Sequence, residues 1–516
     1  MASDPAFSVS GAGLHSIPCP ARRPGPTLKP EMSEPTAGIK EKAFSAVRWT
    51  AVSAATGAIV QLLQVMVLTR ILTPADYGVM AIVAAVLTFP WVINGTGLNS
   101  AFIYRRHVTE GERSSLFWAG VIFAVLLGGV VLALAPLIAW AYGDPRLFPL
   151  LALSSATFLV SGVGAQFRMN AEKNLRFKPM AIIETAAAAV SMMVAVLTAM
   201  AGAGPYTLVW ASLSGAVVNS GLSWFYLSAD WKPSWHISWR ELQPYVHFSL
   251  AAVSSAIISN VNRSLDVIVL GRFVPAGSLG LYSVPRNFMQ QLQTFVNPII
   301  SRVGFPLISS VQHDRARVSA ITTSTLNMVG ALNAPVYVGM ALFADPLVRV
   351  LFGTEWHGTG HLLSILAVVG YVRAMFSPIR DLILGVGLAQ LELRWNLVVL
   401  AATVPAILIG SMHGPFWLAI CLAATATLLL LPAWYGIYRP LAGIGFAQFM
   451  VLILRPVLLA LAGMVPAVLI AREFSLPLAQ LAAGALVTAP LYLLLNMLTN
   501  RPFVHSMSRL LLVRRA

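Results

Sequence analysis

Cysteine and charge are both scarce in this chain of 516 residues. Its two cysteines, Cys19 and Cys421, exclude a disulfide framework and a cysteine-based metal site. Only 10% of the residues are charged and 19 are acidic, against 57% apolar residues, so a soluble enzyme is excluded. The sequence also has no paired carboxylates, nucleophile elbow or metal-ligand spacing. We therefore predict no catalytic residue, no cofactor and no bound metal.

Long apolar runs fill most of the chain. Most are about 18 residues or longer, which is enough to cross a hydrocarbon core about 30 Å thick. Backbone groups in lipid must be paired within their own segment, and the runs are too long for barrel strands, so we predict helices. The 14 predicted spans are 46–69, 78–103, 114–140, 147–166, 180–201, 204–227, 246–271, 280–303, 319–343, 359–388, 395–411, 414–437, 446–471 and 477–498. The predicted fold class is an all-α polytopic membrane protein.

The net charge of +15 is distributed unevenly between the two sides of the membrane. Alternate connections between the predicted spans carry 22 Lys and Arg residues on one side and five on the other. By the positive-inside rule the crowded side is cytoplasmic, and an even number of spans places both termini there. The charge therefore predicts contact with anionic membrane lipids and no nucleic-acid partner.

The two halves of the chain share a repeated junction between apolar runs. Arg70 is followed eight residues later by Gly78, and Arg272 is followed at the same spacing by Gly280. A second matching pair is Pro136-Leu137 with Tyr142-Gly143, and Pro346-Leu347 with Phe352-Gly353. The offsets of 202 and 210 residues predict a duplicated unit of six spans. Two units with an even number of spans form parallel lobes around a central cavity.

This duplication divides the chain into six segments. The segments are a disordered cytoplasmic tail (1–45), an N-lobe of spans 1–6 (46–227), an inter-lobe linker (228–245), a C-lobe of spans 7–12 (246–437), spans 13 and 14 (438–498), and a basic cytoplasmic tail (499–516). The first segment lacks the apolar core of a signal peptide. In the linker, Trp231, Trp235 and Trp239 are four residues apart, which predicts an interfacial helix.

Polar residues inside the predicted spans are the candidate site residues, because each intramembrane charge costs about 3 kcal/mol. Spans 7, 8 and 10 each carry them at helical spacing on one face, and several are arginines. The N-lobe offers a neutral hydrogen-bonding wall that suits sugar hydroxyls. The predicted substrate-binding residues are Asn262, Arg263, Arg286, Gln290, Gln293, Asn297, Arg373 and Arg380 in the C-lobe, with Gln64 and Asn94 in the N-lobe.

Two interpretations of these stripes are open. Intramembrane Asn, Gln and Ser also bond packed helices to one another. The arginines favour a water-filled cavity for an anion, because acids are few and guanidinium binds phosphate through a planar fork. Asp266 either pairs with Arg263, three residues earlier, or is a cation- or proton-coupling site. Glu184 is a second coupling candidate, and it either pairs with a nearby base or lines the cavity.

Several short motifs lie at the ends of the predicted spans. They include Leu72-Thr73-Pro74-Ala75-Asp76-Tyr77-Gly78, Leu175-Arg176-Phe177-Lys178, Arg263-Ser264-Leu265-Asp266 and Leu351-Phe352-Gly353. As a set they resemble the polysaccharide transporter family of the multidrug/oligosaccharidyl-lipid/polysaccharide (MOP) flippase superfamily, over roughly residues 44–400. The resemblance implies two bundles around a cavity, alternating access, and an undecaprenyl-pyrophosphate-linked oligosaccharide as substrate. It also implies polysaccharide polymerase and co-polymerase proteins as partners.

The resulting functional hypothesis is an inner-membrane flippase for surface polysaccharide such as exopolysaccharide, capsule or O-antigen. Arg373 and Arg380 would hold the pyrophosphate on the cytoplasmic side, and Arg263 and Arg286 would receive it farther out. One alternative is a cation-coupled multidrug exporter, which needs acidic cavity residues that are few here. The other is a membrane-embedded polysaccharide polymerase or ligase, which usually carries a large external loop.

Overall fold

A computed structural model describes residues 36–104, 108–228 and 231–499. In some helical stretches, among them 94–101 and 294–303, it describes only the backbone. Every regular element in these ranges is a helix. The first six are α1 Thr36–Leu68, α2 Pro74–Tyr104, α3 Glu110–Tyr142, α4 Leu147–Lys173, α5 Phe177–Met200 and α6 Tyr206–Leu227.

The remaining helices follow a linker over residues 231–238. They are α7 Trp239–Phe273, α8 Ala276–Ser310, α9 Arg315–Leu342, α10 Ala344–Leu351, α11 Thr359–Met375, α12 Ser377–Gly385, α13 Ala389–Met412, α14 Pro415–Leu428, α15 Leu430–Ala433, a π-helical segment Trp434–Ala442, α16 Phe446–Ala471 and α17 Pro477–Thr499. We call α1–α6 the N-terminal bundle and α7 through the π-helical segment the C-terminal bundle.

Eleven helical segments of the described chain are long and apolar enough to cross a membrane. Two of the eleven are composite: Thr359–Gly385 joins α11 to α12, and Pro415–Ala442 joins α14, α15 and the π-helical segment. The helices α6, α7 and α8, with 22, 35 and 35 residues, are long enough to span but are not among the eleven. The predicted all-α membrane fold is confirmed, whereas the count of 14 spans stays a prediction.

Local chemistry explains several helix ends. At the start of α3, the Thr109 hydroxyl accepts the Glu112 backbone N–H at 3.2 Å, and the Glu112 carboxylate accepts the Thr109 N–H at 2.9 Å. This reciprocal capping satisfies two N–H groups that the helix leaves open. The predicted span 359–388 is interrupted at Phe376, just before Pro378 in the first turn of α12. Proline cannot donate to the helix ladder, so the helix breaks there.

The structure corrects two expectations for the segments outside the membrane. Residues 36–45, assigned to the disordered tail 1–45, form the first turns of α1, which begins at Thr36. Residues 1–35 and the final residues 500–516 lie outside the described ranges. The interfacial helix predicted for the linker is wrong, because residues 231–238 are not helical and α7 begins only at Trp239. Pro233, which disfavours helix at the residue before it, contributes to this extended course.

The linker is attached to the first turns of α3. The Ser234 backbone N–H donates to the Ser114 hydroxyl at 3.2 Å, and the Trp118 indole N–H donates to the Ser234 carbonyl at 2.9 Å. The ring of Trp235 stacks on that of Trp118 with centroids 4.3 Å apart. Trp231 is buried in an aromatic cluster of the N-terminal bundle. Trp231 is therefore buried while Trp235 and Trp239 are exposed, so the three rings do not share one interfacial face.

The repeated glycines of the two halves meet at the contact between the bundles. A Cβ atom on Gly78 of α2 would collide with the carbonyl oxygen of Ala276, and a Cβ on Gly280 of α8 would collide with the carbonyl oxygen of Pro74. The contact is thus reciprocal, as between related halves. Only glycine allows two helix backbones to approach this closely.

Further contacts between the bundles lie at the same end of the molecule. The Arg70 guanidinium donates to the Val350 carbonyl at 3.1 Å, and the Trp356 indole N–H donates to the Thr69 carbonyl at 2.9 Å. Thr69 and Arg70 belong to the first repeated junction, and Val350 and Trp356 lie on either side of Phe352-Gly353 in the second repeated pair. Repeated motifs of the sequence therefore lie at one of the contacts between the two bundles.

Adding one methyl group at Gly78 or Gly280 is expected to lower stability. Gly78→Ala and Gly280→Ala force the two helices apart, and overpacking of this kind costs about 1–3 kcal/mol. The melting temperature of the purified protein in detergent measures the effect. Gly129→Ala is the matched control, because a Cβ at Gly129 on α3 meets no atom within 4 Å. Equal melting temperatures for all three variants would contradict the close contact.

Candidate functional site

A buried ion pair joins α7 to α8 inside the C-terminal bundle. Arg286 Nε donates to Asp266 Oδ2 at 2.5 Å, and Arg286 Nη2 donates to Asp266 Oδ1 at 2.7 Å. The Tyr282 hydroxyl donates to the same carboxylate at 2.8 Å, and Arg286 Nη2 also donates to the Arg263 carbonyl. Asp266 is 3% exposed and Arg286 6% exposed. A buried ion pair is tolerated when its hydrogen bonds are filled in this way.

This geometry excludes one of the two alternatives for Asp266. The local ion pair between Asp266 and Arg263 is wrong, because the carboxylate pairs with Arg286 on the neighbouring helix. Arg286, predicted as a substrate-binding cation, has its charge balanced by Asp266 in this structure. Its geometry fits a role in positioning α7 against α8.

Two further arginines lie near this ion pair, and neither has a carboxylate partner among the described residues. Arg263 of α7 is exposed, Arg373 of α11 is half-buried, and neither forms an ion pair within the described part of the chain. The charge of Arg373 interacts with those of Asp266, Arg286 and Arg263. We call Arg263, Asp266, Arg286 and Arg373 the arginine cluster. Three arginines and one aspartate give this cluster a net charge of +2.

Two amide side chains of the predicted stripes connect helices. Gln293 of α8 donates to the Gly370 carbonyl of α11 at 3.0 Å, and Asn262 of α7 donates to the Asn396 carbonyl of α13 at 3.3 Å. These two bonds fit the interpretation of the amides as links between packed helices. Gln290 instead bonds within α8, where its side-chain carbonyl accepts Arg286 Nη1 at 3.4 Å.

The other predicted residues are placed apart from the arginine cluster or are not fully described. Arg380 of α12 is 72% exposed at its side chain and pairs with Glu392 of α13 at 3.2 Å. Gln64 is half-buried on α1. The side chains of Asn94 and Asn297 lie outside the described residues, so their roles stay predictions.

A second polar network lies in the N-terminal bundle, and sequence analysis found only Glu184 of it. Arg168 Nη2 of α4 donates to Glu184 Oε1 of α5 at 2.6 Å, and the Ser53 hydroxyl of α1 donates to Glu184 Oε2 at 2.5 Å. Arg168 Nη1 donates to Asn219 Oδ1 of α6 at 3.1 Å. We call Ser53, Arg168, Glu184 and Asn219 the four-helix polar site. Glu184 therefore pairs with a nearby base, which was one of its two predicted alternatives.

Arg168 was missed because hydropathy ended its span too early. The predicted span stops at residue 166, which left Arg168 in a basic cytoplasmic loop. The helix α4 continues to Lys173, so Arg168 lies more than one turn inside it. A sequence pattern could have identified Arg168, namely an arginine near the end of one span and an acid near the start of the next. Such residues lie at similar depth and can form an ion pair.

Comparison with known proteins agrees with this architecture. A family model described as "Polysaccharide biosynthesis protein" matches residues 67–360. The chain is 25% identical to lipopolysaccharide biosynthesis protein WzxC of Escherichia coli K12, over 82% of this chain and 86% of that protein. It is 26% identical to succinoglycan biosynthesis transport protein ExoT of Rhizobium meliloti, over 70% and 74% of the two chains.

A solved structure shares the fold. The lipid II flippase MurJ in an inward closed conformation superposes with a TM-score of 0.69 at 12% identity, covering 88% of this chain and 99% of that one. At this identity the likeness concerns the fold alone. The family model spans more than half of the chain. The matched residues include the repeated glycines and the ion pair between Arg286 and Asp266. The chain therefore belongs to the polysaccharide biosynthesis protein family.

Proposed function

We propose that this protein is a flippase that moves undecaprenyl-pyrophosphate-linked oligosaccharides across the bacterial inner membrane for surface polysaccharide synthesis. Membership of the polysaccharide biosynthesis family supports the substrate class, and so do the names of similar proteins: a lipopolysaccharide biosynthesis protein, a succinoglycan transport protein and a lipid II flippase. The observation that carries the proposal is the arginine cluster, which keeps a net charge of +2 among membrane helices.

The pyrophosphate group is the natural ligand for that charge. Unbalanced guanidiniums at membrane depth are expensive unless they face water or an anion. Arg263 and Arg373 have no carboxylate partner among the described residues, so both remain available for bidentate bonds to phosphate oxygens. In this proposal Arg286 and Asp266 fix the positions of α7 and α8, and Arg263 and Arg373 bind the substrate.

The transport cycle uses the duplicated architecture. We propose 14 spans, with α6, α7 and α8 crossing the membrane, both termini cytoplasmic, and the two bundles acting as parallel lobes. The contacts around Gly78, Gly280 and Trp356 then lie on the outer side and close the cavity there. Separation of these contacts would open the cavity outward by alternating access.

The two alternative functions fit the described residues less well. A cation-coupled drug exporter needs a free carboxylate in the cavity, yet Asp266 and Glu184 both have cationic partners. A polymerase or ligase needs room for an extracytoplasmic catalytic region, and the connections between the described helices are short. A coupling role for Asp266 or Glu184 stays a prediction.

Deletion of the gene tests the flippase function directly. Undecaprenyl-linked repeat units are expected to accumulate in the inner leaflet, because their synthesis continues while their transfer stops. Lipid extraction followed by mass spectrometry, with leaflet access measured by a glycan-directed probe on spheroplasts, gives the readout. Normal polysaccharide export without accumulation would refute the proposal.

Replacing Arg373 by glutamine is expected to reduce export at least ten-fold while protein abundance stays unchanged. The substitution removes a phosphate-binding charge and breaks no ion pair among the described residues. Surface polysaccharide per cell and the amount of protein in the membrane are the measurements. Arg380→Gln is the control, because Arg380 is exposed and pairs with Glu392 away from the cluster. Equal export by both variants would argue against a substrate role for Arg373.

Replacing Arg286 by glutamine is expected to act on stability instead. It leaves the Asp266 carboxylate buried without its charge partner, which costs about 3–5 kcal/mol. The amount of folded protein, measured by size-exclusion chromatography in detergent, should fall sharply. The double variant with Asp266→Asn should recover much of that loss, since both charges are then absent. A double variant no more stable than Arg286→Gln would contradict this assignment.

A further inference from the structure

The four-helix polar site is balanced in charge, unlike the arginine cluster. Its charged groups are one guanidinium, Arg168, and one carboxylate, Glu184, joined at 2.6 Å. The neutral partners Ser53 and Asn219 come from two other helices. The site therefore offers directional hydrogen bonds without attracting a charged group of either sign.

The location of the site indicates that water reaches it. Glu184 lies seven residues beyond the start of α5, which corresponds to about 10 Å along the helix. The side chains of Arg168 and Glu184 are nevertheless 37% and 38% exposed. An ion pair at this depth facing lipid would be costly, so its exposed side faces a water-filled space.

The site keeps unused hydrogen-bonding capacity toward that space. Arg168 uses its two terminal nitrogens, while its Nε–H has no partner within the described part of the chain. The Asn219 amide nitrogen likewise donates to none of the described residues. The Glu184 oxygens and the Ser53 hydroxyl retain lone pairs. Donors and acceptors thus alternate over a few ångströms, an arrangement that matches neighbouring hydroxyl groups.

We propose that the four-helix polar site binds the sugar hydroxyls of the transported glycolipid. This inference rests on the proposed flippase function and adds the location of the glycan. The substrate has a neutral part with hydroxyl groups and an anionic pyrophosphate. The charge-balanced four-helix polar site complements the first, and the positively charged arginine cluster complements the second. The sugar would occupy the N-terminal bundle while the pyrophosphate occupies the arginine cluster of the C-terminal bundle.

A pair of similar chemistry in the other bundle supplies a matched control. Arg380 and Glu392 connect α12 to α13 at 3.2 Å, as Arg168 and Glu184 connect α4 to α5. Arg380 is 72% exposed, and among the described residues no neutral side chain from another helix hydrogen-bonds to this pair. Glu392→Gln therefore removes an equivalent charge without removing a four-helix site.

Binding of two lipid probes to the full-length protein in nanodiscs tests the proposal. One probe is the lipid-linked oligosaccharide extracted from membranes of the deletion strain, and the other is undecaprenyl pyrophosphate without sugar. Glu184→Gln and Asn219→Ala are expected to weaken binding of the glycolipid about ten-fold, as loss of a charge-assisted hydrogen bond does. Both variants should bind the sugar-free lipid with an affinity within two-fold of wild type. The control variant Glu392→Gln should bind both lipids with an affinity within two-fold of wild type.

The outcomes separate this inference from the proposed function. If wild type binds both lipids but Glu184→Gln and Asn219→Ala keep full glycolipid affinity, or lose both lipids in parallel, the sugar site is refuted alone. If wild type binds neither lipid, the flippase proposal fails and the inference with it. Free oligosaccharide, released from the lipid by mild acid, gives a further readout on the unaltered protein. It should compete with the glycolipid for wild type, and absence of competition would also overturn the proposal.

Discussion

Burial of Arg286 against Asp266 is the interaction on which the rest of the site depends. A guanidinium in a low-dielectric interior requires both a counter-charge and a full set of hydrogen bonds, and here Asp266, the Arg263 carbonyl and the Gln290 side chain accept its N–H groups, while the Tyr282 hydroxyl donates to Asp266. Because this pair consumes the carboxylate of Asp266, the charges of Arg263 and Arg373 stay unbalanced. A single buried pair thus stabilises the packing of α7 on α8 and leaves a positive site beside it.

The two bundles differ in the chemistry that they place among their helices. The C-terminal bundle has an excess of guanidinium, and the N-terminal bundle has one guanidinium balanced by one carboxylate. Such a division suits a substrate that is itself divided into an anionic linkage and a neutral glycan. An anion is attracted over distance by net charge, whereas hydroxyl groups are recognised through the directions of individual hydrogen bonds. Affinity and selectivity can therefore reside in different bundles of one transporter.

The contact between the bundles includes the two repeated glycines of the sequence. Gly78 and Gly280 occupy equivalent places in the two repeats, and each fits under a carbonyl group of the other repeat. This reciprocal contact is one part of a larger interface, in which α2 packs on both α7 and α8. The bonds of Arg70 and Trp356 reinforce it near the glycines, and the Ser115 hydroxyl of α3 donates to the Glu241 carboxylate of α7 at 2.6 Å at the other end. The bundles are therefore held together at both ends of these helices in this structure.

By itself the sequence determined the membrane class, the helical fold and all four residues of the arginine cluster, and it predicted the duplication. These follow from local properties, namely the length of apolar runs and the spacing of polar residues along one helix. The amide stripes and Glu184 were identified, but their role as links or partners was open. Only the tertiary structure decided that Asp266 bonds to Arg286, 20 residues away, and not to Arg263 in its own helix. The tertiary structure also showed that Arg168, predicted to lie in a loop, forms an ion pair with Glu184. It showed as well that Trp231 is buried while Trp235 is exposed. The choice of a partner depends on which helix packs alongside and at what depth, and periodicity within one helix carries no information about that.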